Sequence, residues 1–226
     1  MSPRKPRPPK VRPPDPDRVD AQWRLFLAAP LPPDVRAVVR GIINELAPKD
    51  WPVRWVDPET AHLTLHFLGD TPPERAELLR LALPAVVARH AAFTLRTGDL
   101  GAFPSVKRPR VLWLGLYGPA HRLAALHEAV GEALRDLDFP VEEGPFHPHI
   151  TLGRVRNQGT ERVPLRAMPE ELRALADPAT GVMTGPPAVT FPVREVVLVR
   201  SYLGSGAPRY ETVARFPLLT QSGQGR

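Results

Sequence analysis

The 226-residue chain contains no cysteine. That excludes disulfides, thiol nucleophiles and cysteine-ligated metal, and it fits an intracellular protein. No window approaches the about 18 uninterrupted apolar residues of a membrane helix, so no membrane span is expected. The N-terminus carries basic residues without an apolar run after them, which is not the pattern of a secretory leader. Cytoplasm is the default location. Acidic residues are also short, 24 against 30 basic ones, for a net charge of +6.

Half of that excess sits in residues 1–20, where six Lys/Arg face three Asp. The same segment has seven prolines and almost nothing apolar, too little burial to offset the entropy of ordering. It reads as a disordered basic tail. Such a tail can hold nucleic acid through phosphate charge, although solvated basic tails without a partner are common. Residues 21–220 are long enough for one substantial core or two small lobes, and 221–226 read as a frayed end.

Along that body, "QWRLFLAAPLP" suits a buried strand ended by prolines. Val35, Val38, Val39, Ile42, Ile43 and Leu46 then recur at helical spacing, up to a stop at Pro48. "VRWVD" is a short strand candidate, and a second helix is expected from Pro73 to about His90 with Pro84 kinking or interrupting it. "AFTLRTGDLGAFPS" and "PRVLWLGLYG" read as two strands joined by a basic loop with Lys107, Arg108 and Arg110. A third helix carries Leu123, Leu126, Val130 and Leu134, and a short one is expected near Glu170–Ala176. "VREVVLVRSYL" and "RYETVARFPL" close the chain as a hairpin. Runs of adjacent strands favour an antiparallel α+β arrangement over a doubly wound parallel sheet.

One short phrase is written twice: His62-Leu63-Thr64-Leu65 and His149-Ile150-Thr151-Leu152, in a chain with seven histidines. Both stretches alternate, so His62, Thr64 and His66 are expected on one face with Leu63, Leu65 and Phe67 on the other. In the second, His149 and Thr151 share a face and Ile150 and Leu152 oppose them. A single histidine on a strand is usually structural. Two copies, each beside a threonine on the face opposite the apolar residues, suggest a groove lined from two sides.

Two chemistries compete for that groove. A metal site could use His62, His66, His147 and His149, but strand residues four apart stand about 13 Å from each other, and neither phrase contains a carboxylate. The alternative is acid–base catalysis at phosphorus without metal or cofactor. Imidazole serves as base or acid near neutrality. One histidine would deprotonate water, another would protonate the departing oxygen, and the threonine hydroxyls would hold phosphoryl oxygens.

These residues resemble the two-histidine (2H) phosphoesterase superfamily, in its RNA 2′,3′-cyclic phosphodiesterase branch, historically named 2′-5′ RNA ligase. The resemblance covers about residues 22–219: "RLFLAAPLP", "HLTLHFLG", "RVLWLGL", "FHPHITLGR" and "APRYETVARFPL" match its successive strands. It implies two pseudo-symmetric lobes of antiparallel sheet, helices packed outside, and a central cleft between the motif strands. It implies a monomer acting on RNA that ends in a 2′,3′-cyclic phosphate, with His62 as proton donor, His149 as proton acceptor and Thr64 and Thr151 as phosphate-holding hydroxyls. Arg154 matches a substrate-contacting arginine, although strict alternation aims it away from His149 unless the strand ends or twists after Gly153. Lys107, Arg108 and Arg110 are further candidates for RNA phosphate. A non-catalytic RNA-binding module, a phosphodiesterase for small cyclic diesters, and the reverse 2′-5′ joining reaction are the alternatives.

The other residues carry plainer expectations. His66 is expected at the cleft edge, and His147 at the strand entry before Pro148. His90, His121 and His127 are expected to be solvated, and Trp23 and Trp113 to lie in the core.

Overall fold

The computed structural model describes residues 22–49, 51–105, 108–156, 188–202 and 208–220. The tail 1–20, the end 221–226, Lys107 and the helix expected near Glu170–Ala176 lie outside these residues. In chain order the elements are β1 (Trp23–Pro30), α1 (Pro33–Leu46), β2 (Val53–Trp55), β3 (His62–Thr71), α2 (Pro73–Val87) and β4 (Phe93–Phe103). They continue with β5 (Val111–Tyr117), α3 (Ala120–Asp136), β6 (His149–Val155), β7 (Thr190–Val193), β8 (Glu195–Tyr202) and β9 (Arg209–Pro217).

The strands hydrogen-bond in the order β7-β4-β5-β6-β3-β1-β8-β9, with β2 added against β6. Neighbours pair antiparallel throughout this path. The two expected lobes are therefore the halves of one continuous sheet, four strands on each side of the β3–β6 junction. Each phrase lies on the returning strand of a strand–helix–strand unit, β1-α1-β3 in one half and β5-α3-β6 in the other. That is why the repeated tetrapeptide meets itself at the centre.

Alternation decides which face is apolar. Leu63, Leu65, Leu114, Ile150 and Leu152 join a single core with the inner stripes of the three helices, including Val35, Ile42, Leu79, Leu83, Leu126 and Val130. Each fully buried side chain of this kind contributes about 1.5–3 kcal/mol, so both motif strands are held firmly from behind. β1 is buried on both faces: Leu25, Leu27 and Ala29 face the main core, while Phe26 and Ala28 pack with Val197, Val199 and Tyr210 on the other side. That second, smaller cluster floors one half of the cleft.

Two local expectations change. α2 runs through Pro84 without interruption. The proline ring removes the bond that position 84 would donate to the carbonyl of Arg80, and Arg80 lies on the exposed side of the helix, where water can take up that acceptor. β7 is an additional edge strand against β4, and an edge position tolerates its Pro192. Among the described residues no helix is long and apolar enough to cross a membrane.

Candidate active site

The two histidines are built alike. The Nδ1 of His62 bonds the carbonyl of Thr60 at 2.8 Å, and that of His149 bonds the carbonyl of His147 at 2.7 Å. A carbonyl can only accept, so Nδ1 carries the proton in each ring. The neutral Nε2 is then the atom with a free lone pair, and it is the atom that gains a proton when the ring becomes an acid. One local backbone arrangement, a carbonyl two residues before the histidine, thus sets the tautomer at both sites.

The segment ahead of His62 is itself pinned. Asp57 caps a 3₁₀ turn over Pro58–Thr60 by accepting from the Glu59 N–H at 2.9 Å, and the Thr60 hydroxyl returns to the Asp57 carbonyl at 2.9 Å. Arg36 and Arg40 of α1 reach the Glu59 carboxylate, the former at 3.4 Å. These ion pairs are exposed and individually worth about 0–1 kcal/mol. Their effect is to hold the turn whose last carbonyl orients His62.

Aromatic rings fix the imidazole planes. Phe26 stacks on His62 with centroids 4.6 Å apart, and Tyr210 meets the same imidazole edge-on at 5.5 Å. On the other half, Phe103 meets His149 edge-on at 4.9 Å and leans on Trp113 at 5.3 Å. Trp113 is a correction. It pairs directly with Thr151 across β5 and β6 and therefore shares the cleft face, half-buried, instead of lying in the core. Gly101 makes room for it, since a Cβ there would come within 2.3 Å of the indole. Trp23, by contrast, packs against the core as expected.

Two bulges redraw the faces. The β1–β3 register skips Leu65, so both Leu65 and His66 are buried and the alternation inverts beyond Thr64. His66, only 3% exposed, is turned to the helix side, not the cleft edge, and Phe67 comes round to the cleft face at 42% exposure. His66 Nε2 bonds the carbonyl of His127 at 2.9 Å and its ring stacks on the His127 ring at 4.1 Å. His127 in turn stacks on Phe146 at 4.0 Å and is half-buried, so it is packed and not solvated. Burial and the neighbouring His66 push its pKa down to about 4. His121 is exposed as expected, while His90 is half-buried.

The second bulge rescues Arg154. The β5–β6 register skips Leu152, which is buried, and returns Arg154 opposite Val111, on the same face as Trp113 and Thr151. Its charge helps to lower the pKa of both His62 and His149, so the guanidinium lies within electrostatic reach of both rings. Burial is the larger cause of both shifts, and the carbonyl bonds at Nδ1 partly oppose it. His149 also acts on His62. Arg108 and Arg110 are exposed at the β4–β5 turn, and the Arg110 carbonyl accepts from Val155, which sets that turn beside the Arg154 end of β6.

Three cleft residues carry no signal in the tetrapeptides. Arg54 of β2 lies directly opposite Arg154. Tyr210 and Phe26 come from β9 and β1, and only the sheet order brings them to His62.

The arrangement brings two Nδ1-anchored imidazoles and the Arg154 guanidinium to one face of two neighbouring strands, with a threonine two residues beyond each histidine. Consistent with it, a model of the 2′-5′ RNA ligase superfamily matches residues 32–204, and the chain belongs to that superfamily. It is 37% identical over 195 residues to the RNA 2′,3′-cyclic phosphodiesterase of Geobacillus stearothermophilus, covering 86% of this chain and 57% of that relative. The chain therefore spans little more than half the length of that protein. It is 32% identical over 162 residues to the RNA 2′,3′-cyclic phosphodiesterase of Aeropyrum pernix, 72% of this chain and 84% of the relative. The crystal structure of E. coli LigT complexed with 3′-AMP superposes with a TM-score of 0.66 at 27% identity, over 87% of this chain and 98% of that one.

Proposed function

We propose that this chain hydrolyses RNA 2′,3′-cyclic phosphate ends to 2′-phosphates, using its own side chains and no metal or cofactor. The observation that carries the reading is the matched pair of Nδ1-anchored imidazoles, His62 and His149, each on a strand with a threonine two residues on. Hydrolysis at a cyclic phosphodiester needs one base and one acid at opposite sides of phosphorus. Nε2 of His149 takes a proton from water as its oxygen bonds to phosphorus. The bond from phosphorus to the 3′ oxygen breaks, and the His62 imidazolium gives its Nε2 proton to that oxygen. The phosphate stays on the 2′ oxygen.

Thr64 and Thr151 donate hydrogen bonds to the non-bridging oxygens, and Arg154 stabilises the charge that builds there. The assignment of acid to His62 and base to His149 follows the family resemblance. Arg108 and Arg110 extend the basic surface toward the RNA backbone, and Lys107, outside the described residues, is proposed with them as a phosphate contact. We further propose that the protein acts as a monomer, and we place it in the cytoplasm. Superfamily membership and relatives named for this activity support the reading.

The test is an RNA oligonucleotide ending in a 2′,3′-cyclic phosphate, incubated with the protein in EDTA. A 2′-phosphate product in wild type, with near-complete loss in His62→Ala and in His149→Ala, is expected. Turnover that disappears on chelation overturns the metal-free mechanism. Undiminished RNA binding by the double histidine variant, without turnover of any cyclic phosphate by the wild type, points instead to a non-catalytic RNA-binding module.

A further inference from the structure

β3 and β6 are bonded at one position and then diverge, and β2 fills the gap against the far end of β6. This places Arg54 directly across from Arg154, on the same face of the sheet. Val53 and Trp55, its neighbours on β2, pack toward the core, which leaves Arg54 on the cleft side. Two guanidiniums on facing positions of adjacent strands are placed to contact one anion together. Guanidinium is also the side chain best shaped for bidentate phosphate contact.

The two arginines are not equivalent. Arg154 acts on His62, His149 and Tyr210, and Arg54 also acts on Tyr210. Tyr210 lies edge-on to His62 and half-buried. Arg154 lies on the motif strand itself, three residues beyond Thr151, and Arg54 on the strand beside it, one step further from the motif. A cyclic mononucleotide without a 5′ phosphate has nothing to place there. An RNA end does, because the terminal nucleotide carries a second phosphate at its 5′ position, where the chain continues.

We propose that Arg54, assisted by Arg154 and the Tyr210 hydroxyl, forms a second anion subsite that takes the 5′ phosphate of the nucleotide bearing the cyclic end. The inference rests on the cyclic phosphodiesterase reading above and adds a source of selectivity: the enzyme reads a phosphate it does not transform. A phosphate contact of this kind fixes register without reading base identity, so the preference is for a chain end over a free cyclic mononucleotide, whatever its sequence. Burial keeps the Tyr210 phenol protonated, against the opposing pull of Arg154 and Arg54, so it can donate a hydrogen bond there.

Three substrates test this: adenosine 2′,3′-cyclic phosphate, the same compound with a 5′ phosphate, and a dinucleotide ending in the cyclic phosphate. The wild type is expected to favour the two that carry a 5′-side phosphate over the first by at least about tenfold in kcat/KM, the order expected of one charge-assisted contact. Arg54→Gln should reduce the preferred substrates at least about fivefold more than the simple cyclic nucleotide, and Arg54→Lys should restore part of the preference by returning the charge. Thermal unfolding of both variants confirms that they are folded. Equal losses on all three substrates, or a wild type with no preference, overturn the subsite while leaving the phosphodiesterase reading intact. A wild type that opens none of the three defeats that reading and the subsite with it.

Discussion

Leu63 of the first phrase pairs antiparallel with Ile150 of the second, and this single pairing is the junction between the two halves of the sheet. Both of these side chains are fully buried, which turns their polar neighbours His62, Thr64, His149 and Thr151 to the opposite face of the sheet. The two tetrapeptides thus present an imidazole and a threonine each to the same side of this junction.

The first prediction concerns how these groups combine. His62→Ala and His149→Ala should each lower kcat/KM by about 10²–10⁴-fold, the range for loss of a positioned acid or base. Thr64→Ala and Thr151→Ala remove neutral donors and should cost less. Because both histidines act in one step, the double variant should fall far short of the product of the single losses. Fully multiplicative losses would show that the two rings serve separate steps.

The pH profile follows from the cleft's charge. Burial, with Arg154 adding to it, lowers both histidines from their ordinary value. A bell-shaped kcat/KM is expected, with both limbs on the acid side of where ordinary imidazoles titrate. Arg154→Gln removes a positive charge that disfavours imidazolium, so both limbs should move to higher pH even as activity drops. Limbs that stay fixed in this variant would place Arg154 away from the reacting groups.

Much of this was legible in the sequence, for identifiable reasons. The helices α1 and α3 and the motif strands are strongly periodic, and the doubled H-x-T phrase marks the cleft because alternation puts both polar residues on one face. Alternation failed where a bulge intervened. One extra residue at Leu65 sent His66 inward and Phe67 outward, and one at Leu152 brought Arg154 back to the cleft. Nothing local in "HLTLHFLG" or "HITLGRV" announces that extra residue. Arg54, Phe26 and Tyr210 were illegible for another reason: strand neighbours distant in sequence bring them to the site, and their order is a property of the whole sheet.

The column His66–His127–Phe146 leads to a prediction about stability. It ties β3 to α3, two residues beyond Thr64 and three before His149, and Gly131 leaves space for the His66 ring, which a Cβ would approach to 3.2 Å. Burial is the main reason both pKa values are low; Arg135 adds to each, His66 adds to His127, and Glu142 opposes the shift of His66. An unfolded histidine titrates near 6.5, whereas His127 in the fold takes its proton only near 4. Between those values the unfolded chain binds protons that the folded one refuses, so stability is complete above about pH 6.5 and declines as pH falls toward about 4. Thermal unfolding should show a Tm that drops on acidification, and His127→Phe, which keeps the stack, should show a shallower drop. Parallel pH dependences of the two proteins would remove this column from the acid response.

The tail and the cleft should separate cleanly under truncation. Residues 1–20 hold six basic side chains against three acidic ones, while the groups proposed for chemistry all lie between His62 and Arg154. Charge on a tail acts on phosphates by displacing counterions, so its contribution grows with the number of phosphates within reach and shrinks as salt rises. A dinucleotide offers the tail almost nothing, and a long RNA offers it many sites. Deleting residues 1–20 should therefore weaken binding of long RNA at low salt, flatten the salt dependence of that binding, and leave cleavage of a cyclic-phosphate dinucleotide close to the full-length rate. Measuring Kd for a long RNA across a salt series, beside kcat/KM for the dinucleotide, separates the two effects. Loss of dinucleotide cleavage on truncation would mean that the tail completes the cleft, and that chemistry and binding are not divided along the chain in this way.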